Sequence, residues 1–467
     1  MSTREASTSS PPIGSKADLI GWIAKGCKPK EQWRIGTEHE KILFHTDTLT
    51  PVPYESPRGV RALMDGLMSR FGWQPILEGE TVIALKTPPG TDRGTVSLEP
   101  GGQFELSGAT VETIHDVAGE TRAHLDEVRS IGADLGIGML GMGFTPKYTR
   151  AEMPAMPKRR YAVMTKYMPK VGSLGLDMMY RTCTVQVNLD FSSEADMVRK
   201  LRVSLALQPI AQALFASSPF TEGKPNGFQS MRGQVWTDTD NARSGNLPFA
   251  FDAGMSFERY VDYALVVPMY FVFRDGHYID VAGASFRDFM AGRLAHNYSD
   301  PRLKGLVATM DDWSDHMTTL FPDVRMKRFL EMRGADGGPE SHIVALPAYW
   351  VGLLYDQTSL DAAWDLVKSW TRAEHDSLRA GVPRLGLATP FRTGTVRDIA
   401  RETLKIARAG LARRDRRGPD GRDEAFGLDV LDEIVASNKT LSDRLLAHYH
   451  GDWGGNIDRV FKQFAIV

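Results

Sequence analysis

The sequence predicts an α+β fold, on three observations. Segments that alternate strictly between polar and apolar side chains recur between residues 34 and 191, the period of strands with one face toward a core. Segments with apolar residues at helical spacing are interspersed among them. From about residue 355 to 467 only helical spacing is found. Candidate ligand residues run from Glu38 to Arg333, so one site gathers from most of the chain. That predicts a single intertwined catalytic domain over 15–467, with a helical C-terminal part over about 355–467, preceded by a disordered tail over 1–14 that is rich in Ser, Thr and Pro.

Taken in order, residues 15–26 form a short amphipathic helix with Ser15 as N-cap. Arg34 to Phe44 is strand-like, with Glu38 and Glu40 on one face. Val60, Leu63, Met64, Leu67 and Phe71 predict a helix over 57–71. A strand over 80–86 precedes 94–108, which reads as two strand pieces joined at Pro100-Gly101-Gly102. There Val96, Leu98, Phe104 and Leu106 take one face, and Thr95, Ser97, Glu99, Gln103 and Glu105 the other. A helix follows over 111–135, then a Gly- and Met-rich loop over 136–146, then Lys158-Arg159-Arg160, read as a solvated turn.

The clearest alternation is Thr182, Thr184, Gln186, Asn188 and Asp190 against Cys183, Val185, Val187, Leu189 and Phe191. Two readings fit its polar face: water, or a polar ligand cavity. A helix over 194–217 leads into a long irregular stretch, 219–255, that carries Arg232 and Arg243; structureless segments of that length tend to be functional. A short helix and a strand fill 256–282. Glu331-Met332-Arg333 then leads into a Gly-rich turn, and helices follow over 360–380, 394–414 and 428–448.

Composition bounds the function. Apolar content of 42% and charged content of 24% are ordinary for a globular chain. A net charge of -2 gives no field toward nucleic acid or acidic lipid, and no apolar run is long enough for a bilayer, so neither nucleic acid nor membrane is an expected partner. The two cysteines, Cys27 and Cys183, form no disulfide framework or metal spacing. Both are read as reduced, in a cytoplasmic protein. A monomer and a homodimer are both compatible with this composition.

Two strands that each offer a Glu pair suit either a solvated face or a Mg2+ site completed by phosphate oxygens. Arginines from loops would stabilise a moving phosphoryl group. Neither a phosphate-binding Walker glycine loop nor a Ser–His–Asp or Cys–His pairing is recognisable. The residues alone therefore point to a Mg–nucleotide enzyme, a ligase or a phosphotransferase.

Long motifs carry the reading further. Arg34-Ile35-Gly36-Thr37-Glu38-His39-Glu40-Lys41, Ser97 to Gly108, Arg181 to Phe191 and Glu331 to Gly338 resemble glutamate–cysteine ligase of the plant and proteobacterial type. So do Leu247-Pro248-Phe249, Phe286-Arg287-Asp288-Phe289 and Ala345 to Trp350. The resemblance implies a glutamine-synthetase-like curved antiparallel sheet, with ATP, Mg2+, L-glutamate and L-cysteine as cofactor and substrates. It implies metal-binding carboxylates at Glu38, Glu40, Glu99, Glu105 and Glu331, and Arg333 facing the transferring phosphate. Thr182, Gln186, Asn188 and Gln103 would line the substrate cavity. Arg232 would receive the glutamate α-carboxylate, with Arg243 as a second candidate. The rival within the same chemistry is a carboxylate–amine ligase that joins glutamate to a different amine. On this reading Glu38→Gln and Glu331→Gln should each cut turnover with the fold intact.

Overall fold

The computed structural model describes residues 10–467. Nine strands form one antiparallel sheet: β1 (Ile35–His45), β2 (Gln74–Glu78), β3 (Thr81–Lys86), β4 (Thr95–Leu98), β5 (Phe104–Val111), β6 (Ile137–Leu140), β7 (Thr184–Leu189), β8 (Val324–Met326) and β9 (Leu330–Asp336). The order across it is β8-β9-β7-β1-β5-β4-β3-β2, and β6 pairs with the far half of β1. The 11-residue β1 is therefore the spine, flanked by strands some 65 and 150 residues further along.

Register aligns the polar face. Glu40 stands opposite Glu105, Glu38 opposite Gln186, and Glu331 opposite Asn188. Period-two alternation sends Val96, Leu98, Phe104 and Leu106 to the other side. There they pack on Leu63, Met64 and Leu67 of helix Val60–Phe71 and on Val128 and Ile131 of helix Ile114–Leu135. Val185, Val187 and Leu189 join a second core with the helices Glu194–Leu214 and Glu340–Leu354. Helix Glu340–Leu354 is apolar nearly all round because it is covered on nearly every side; Glu194–Leu214 is charged in its first half and buried through most of its second. The same core extends from Leu19 to Val435, so the C-terminal helices cover the sheet's β7–β9 half.

The turn between β4 and β5 needs its glycines. Gly102 has φ +82°, and a Cβ on Gly101 would stand 2.2 Å from the Tyr180 carbonyl oxygen. That close approach seats the hairpin against the segment leading into β7.

Several expectations are corrected. Residues 10–14 are ordered: Ile13 N–H donates to the Ala308 carbonyl at 2.9 Å and Pro12 bridges to Thr309. The remainder of the expected tail, 1–9, lies outside the described residues. The loop over 136–146 contains β6, whose apolar run is buried on both faces and so lacks alternation. Lys158-Arg159-Arg160 is no solvated turn: it opens helix Arg159–Tyr167 and buries Lys158 and Arg160. The helix over 360–380 is two, Gln357–Val367 and Arg372–Leu385, and that over 428–448 breaks at Asn438, where φ is +56°.

Candidate functional site

The polar face of the sheet forms one side of a cavity of about 850 Å3, its open mouth included. Glu38 and Glu40 of β1 and Glu99 and Glu105 of the hairpin line it, with Thr184 and Gln186 of β7. Arg160, Arg232, Arg325 and Arg333 line the same cavity. Trp236, Phe321, Tyr161 and Met178 supply apolar surface. Four carboxylates and four guanidiniums thus meet in one partly enclosed space.

Each buried acid is held from a neighbouring strand. Asn188 Nδ2 donates to Glu38 Oε1 at 2.8 Å, and the Thr184 N–H donates to Glu40 Oε2 at 3.0 Å. Ser97 and Ser107 donate to the two oxygens of Glu105 at 2.6 and 3.1 Å. At Glu40 and Glu105 these bonds do not offset crowding, whereas Glu38 is held below the ordinary range against its burial, with Lys327 and Asn188 among the causes. Burial, then the charges of Glu99 and Glu105, push Glu40 well above the ordinary carboxylate range, against Arg232 and the Thr184 N–H. Burial, then Glu38 and Glu99, push Glu105 up to about 7. The pocket is short of positive charge at its acidic end.

Glu331 is different. It is fully buried and does not line the cavity. Arg325 Nη2 reaches both its oxygens at 2.7 and 2.9 Å, Lys327 Nζ lies 2.9 Å away, and Arg333 closes the group. Burial alone would raise its pKa; the three cations overrule that and hold it well below the ordinary range. The structure therefore gives Glu331 a different surrounding from the metal-facing one expected, because Arg325 of β8 stands opposite it in register and Lys327, just past the end of β8, also reaches it. Arg333 also donates to Gln186 Oε1, which orients its guanidinium along the cavity wall.

The other expected residues divide. Thr182 and Gln103 line the cavity, but their polar atoms serve the backbone: Gln103 Nε2 donates to the carbonyls of Thr182 and Met179, its Oε1 accepts from Gly101 N–H, and Thr182 Oγ1 donates to the Met178 carbonyl. Asn188 does not line the cavity and acts through Glu38. Arg232 lines it, with Nη2 donating to the Arg333 carbonyl at 2.6 Å. Arg243 is corrected: it is fully buried outside the cavity, paired with Asp240 at 2.6 Å, donating to the Thr319 and Pro268 carbonyls and stacked on Tyr270. Each of its three guanidinium nitrogens donates within the protein, to Asp240, Thr319 and Pro268. Sequence reasoning missed Arg160 and Arg325 as cavity residues. The first stood in a basic trio read as a solvated turn. The second was legible, since Arg325 and Lys327 alternate with Val324 and Met326.

Among the described residues no three His, Cys, Asp or Glu side chains are gathered closely enough to enclose a metal ion. The donors present are all carboxylate oxygens lining an open space, which suits a hard cation that also takes oxygens from a phosphate, not an all-protein cage. Among the described residues no helix is long and apolar enough to cross a membrane.

The family model "Glutamate-cysteine ligase family 2 (GCS2)" matches residues 34–463. Glutamate–cysteine ligase B, chloroplastic, of Oryza sativa subsp. japonica is 54% identical over 461 residues, 99% of this chain and 89% of that protein. The chloroplastic glutamate–cysteine ligases of Nicotiana tabacum and Arabidopsis thaliana are each 53% identical over 99% of this chain and 84% of their own lengths. A crystal structure of glutamate–cysteine ligase from Francisella tularensis in complex with AMP matches with a TM-score of 0.54 at 13% identity, covering 92% of this chain and 89% of that one. At that identity the likeness is one of fold, and it agrees with the glutamine-synthetase-like antiparallel sheet expected. The cytoplasmic placement expected from composition is overturned, because these relatives are chloroplastic proteins.

Proposed function

The chain belongs to glutamate–cysteine ligase family 2, and on that premise we propose that it joins the γ-carboxylate of L-glutamate to the amine of L-cysteine with ATP as phosphoryl donor, the first step of glutathione biosynthesis. A free carboxylate is a poor electrophile. Transfer of the terminal phosphoryl of ATP to it gives γ-glutamyl phosphate and ADP. The cysteine amine then attacks the acyl carbon, phosphate leaves with the bonding pair, and the nitrogen loses a proton as the amide forms.

The observation that carries this reading is the meeting of Glu38, Glu40, Glu99 and Glu105 with Arg160, Arg325 and Arg333 in one cavity. Arg325 and Arg333 stabilise negative charge on the moving phosphoryl group. Arg232 takes the glutamate α-carboxylate, a bidentate partner for a guanidinium. Glu38, Glu40, Glu99 and Glu105 hold Mg2+, which when bound offsets phosphate charge. Glu331 joins that set only when Arg325 or Lys327 leaves its carboxylate; otherwise it anchors the arginines that face the phosphate. Trp236, Phe321 and Met178 limit water access to the acyl phosphate.

The test is product identification with ATP, Mg2+, glutamate and a panel of amines, read by ADP release. Cysteine as the best acceptor supports the proposal. A better acceptor than cysteine transfers the reading to a ligase of glutamate with that amine.

A further inference from the structure

Asp336 closes β9, the strand that carries Glu331 and Arg333, and it is fully buried. Burying a carboxylate is costly unless donors surround it, and three do. Ser218 Oγ donates to its Oδ2 at 2.6 Å, and the Ser217 N–H donates to the same oxygen at 3.0 Å. Ser230 Oγ donates to Oδ1 at 2.7 Å. A Cβ on Gly143 would stand 2.3 Å from the Asp336 Cγ, so the backbone also closes over it.

An ionised carboxylate only accepts. The two serine protons therefore point at Asp336, and the serine lone pairs are left for other donors. Ser218 Oγ accepts from the Arg232 N–H at 3.2 Å, and Ser230 Oγ accepts from the Gly233 N–H at 2.9 Å. Both N–H groups belong to the short helix Met231–Val235, with Ser230 as its N-cap. Amides at the start of a helix have no partner within it, so Asp336 serves them through two hydroxyls.

The other end of Arg232 reaches the same strand. Its Nη2 donates to the Arg333 carbonyl at 2.6 Å, where the pairing of β9 with β7 slips between Met332 and Ala335. Arg232 is thus fastened to β9 twice, its guanidinium at Arg333 and its backbone at Asp336. From that strand Arg333 sends its own guanidinium along the cavity wall. A substrate gripped by two guanidiniums reacts at one spacing between them, and a misplacement of about 1 Å costs rate steeply. Asp336 does not line the cavity itself.

We infer that Asp336 is a positioning residue for the phosphoryl transfer: through Ser218 and Ser230 it sets Arg232 against Arg333. The inference rests on the ligase reading, in which one guanidinium holds glutamate and the other faces the moving phosphoryl group.

Ser218→Ala and Ser230→Ala each delete one relaying hydroxyl. Asp336→Asn turns an acceptor into a donor, so at least one of the three hydrogen bonds fails. Ser217→Ala is the control, because its hydroxyl joins the Gly143 N–H to the Gly337 carbonyl and only its backbone reaches Asp336. Calorimetry measures L-glutamate affinity, steady-state kinetics gives kcat and KM for glutamate, ATP and cysteine, and melting reports the fold. Each relay variant is expected to weaken glutamate about tenfold, the worth of one hydrogen bond to a charged group. It should also lower kcat and leave KM for ATP unmoved. Ser217→Ala should lower Tm and leave glutamate affinity unmoved. In an Arg232→Ala background Ser230→Ala should weaken glutamate no further, since a residue acting through Arg232 has nothing left to place. Additive losses there would overturn the assignment. So would an equal loss in Ser217→Ala, a parallel rise of KM for ATP, or relay variants that lose Tm and keep glutamate affinity. If Asp336→Asn does not fold, the two serine variants carry the same readout. Relay variants that weaken glutamate, in a protein that releases no ADP with any amine, would sink the ligase reading and leave the relay standing. Turnover and glutamate affinity indifferent to all three substitutions would sink the relay alone.

Discussion

Glu105→Gln should stabilise the metal-free protein while it damages the enzyme. Glu105 is 5% exposed and shares its cavity with three other carboxylates. Its pKa is raised from 4.5 to about 7, by burial first and then by Glu38 and Glu99. The sign follows directly. Between these two values the folded state holds a proton that the unfolded chain has released, so stability falls as pH rises through that window and stays low above it. A rise of that size corresponds to roughly 3 kcal/mol withheld at pH 8. Glutamine keeps the shape and removes the charge. It also loses acceptor capacity for Ser97 and Ser107, at about 1 kcal/mol. The net expectation is a gain of about 2 kcal/mol at pH 8, or about 2 °C in Tm for a chain of this length. At pH 4.5, where the wild-type carboxyl is already neutral in the fold, the gain should vanish. The assay is thermal unfolding of both proteins at the two pH values in EDTA, repeated with Mg2+ and ATP. Ligands should stabilise the wild type at pH 8 more than the variant, and ADP release by the variant should fall at least a hundredfold. Destabilisation of metal-free Glu105→Gln at pH 8, equal to that at pH 4.5, would refute the crowding argument.

Glu331→Gln should behave oppositely, and this revises the expectation of an intact fold. It removes the carboxylate that Arg325 and Lys327 both contact and leaves these buried cations with the charge of Glu38, so chemical denaturation should report a loss of about 3–5 kcal/mol. Arg333→Lys keeps the charge and loses the fork that spans Gln186 and Glu331; kcat should fall about a hundredfold or more with the melting curve little changed. Gly101→Ala should push the β4–β5 turn off Tyr180, lowering Tm and raising KM for glutamate, both measured on the purified variant. Turnover should be indifferent to a thiol reductant, since both cysteines are free and Cys183 is buried; a large change on adding dithiothreitol at constant substrate would contradict that.

What the sequence by itself determined is whatever depends on a residue and its near neighbours. Alternation over 94–108 and 182–191 put Glu105 and Gln186 on the faces they occupy, because pleating fixes side-chain direction with no reference to the rest of the chain. Helical spacing located Val60–Phe71 and Ile114–Leu135 within a few residues, and motif likeness named the family. Only the tertiary structure decided which charges neutralise which. Glu331 and Glu105 look alike in sequence, one in Leu-Glu-Met-Arg and one in Phe-Glu-Leu-Ser. One is surrounded by three cations and the other by carboxylates, because β8 lies beside β9 and β1 beside β5. Arg232 was the first candidate and Arg243 the second, eleven residues apart on one irregular stretch; the short helix Met231–Val235 turns the first into the cavity, while Asp240 and Tyr270 enclose the second. Coulomb energies depend on distance in space and on local burial, and strand order sets both, which period and composition do not encode.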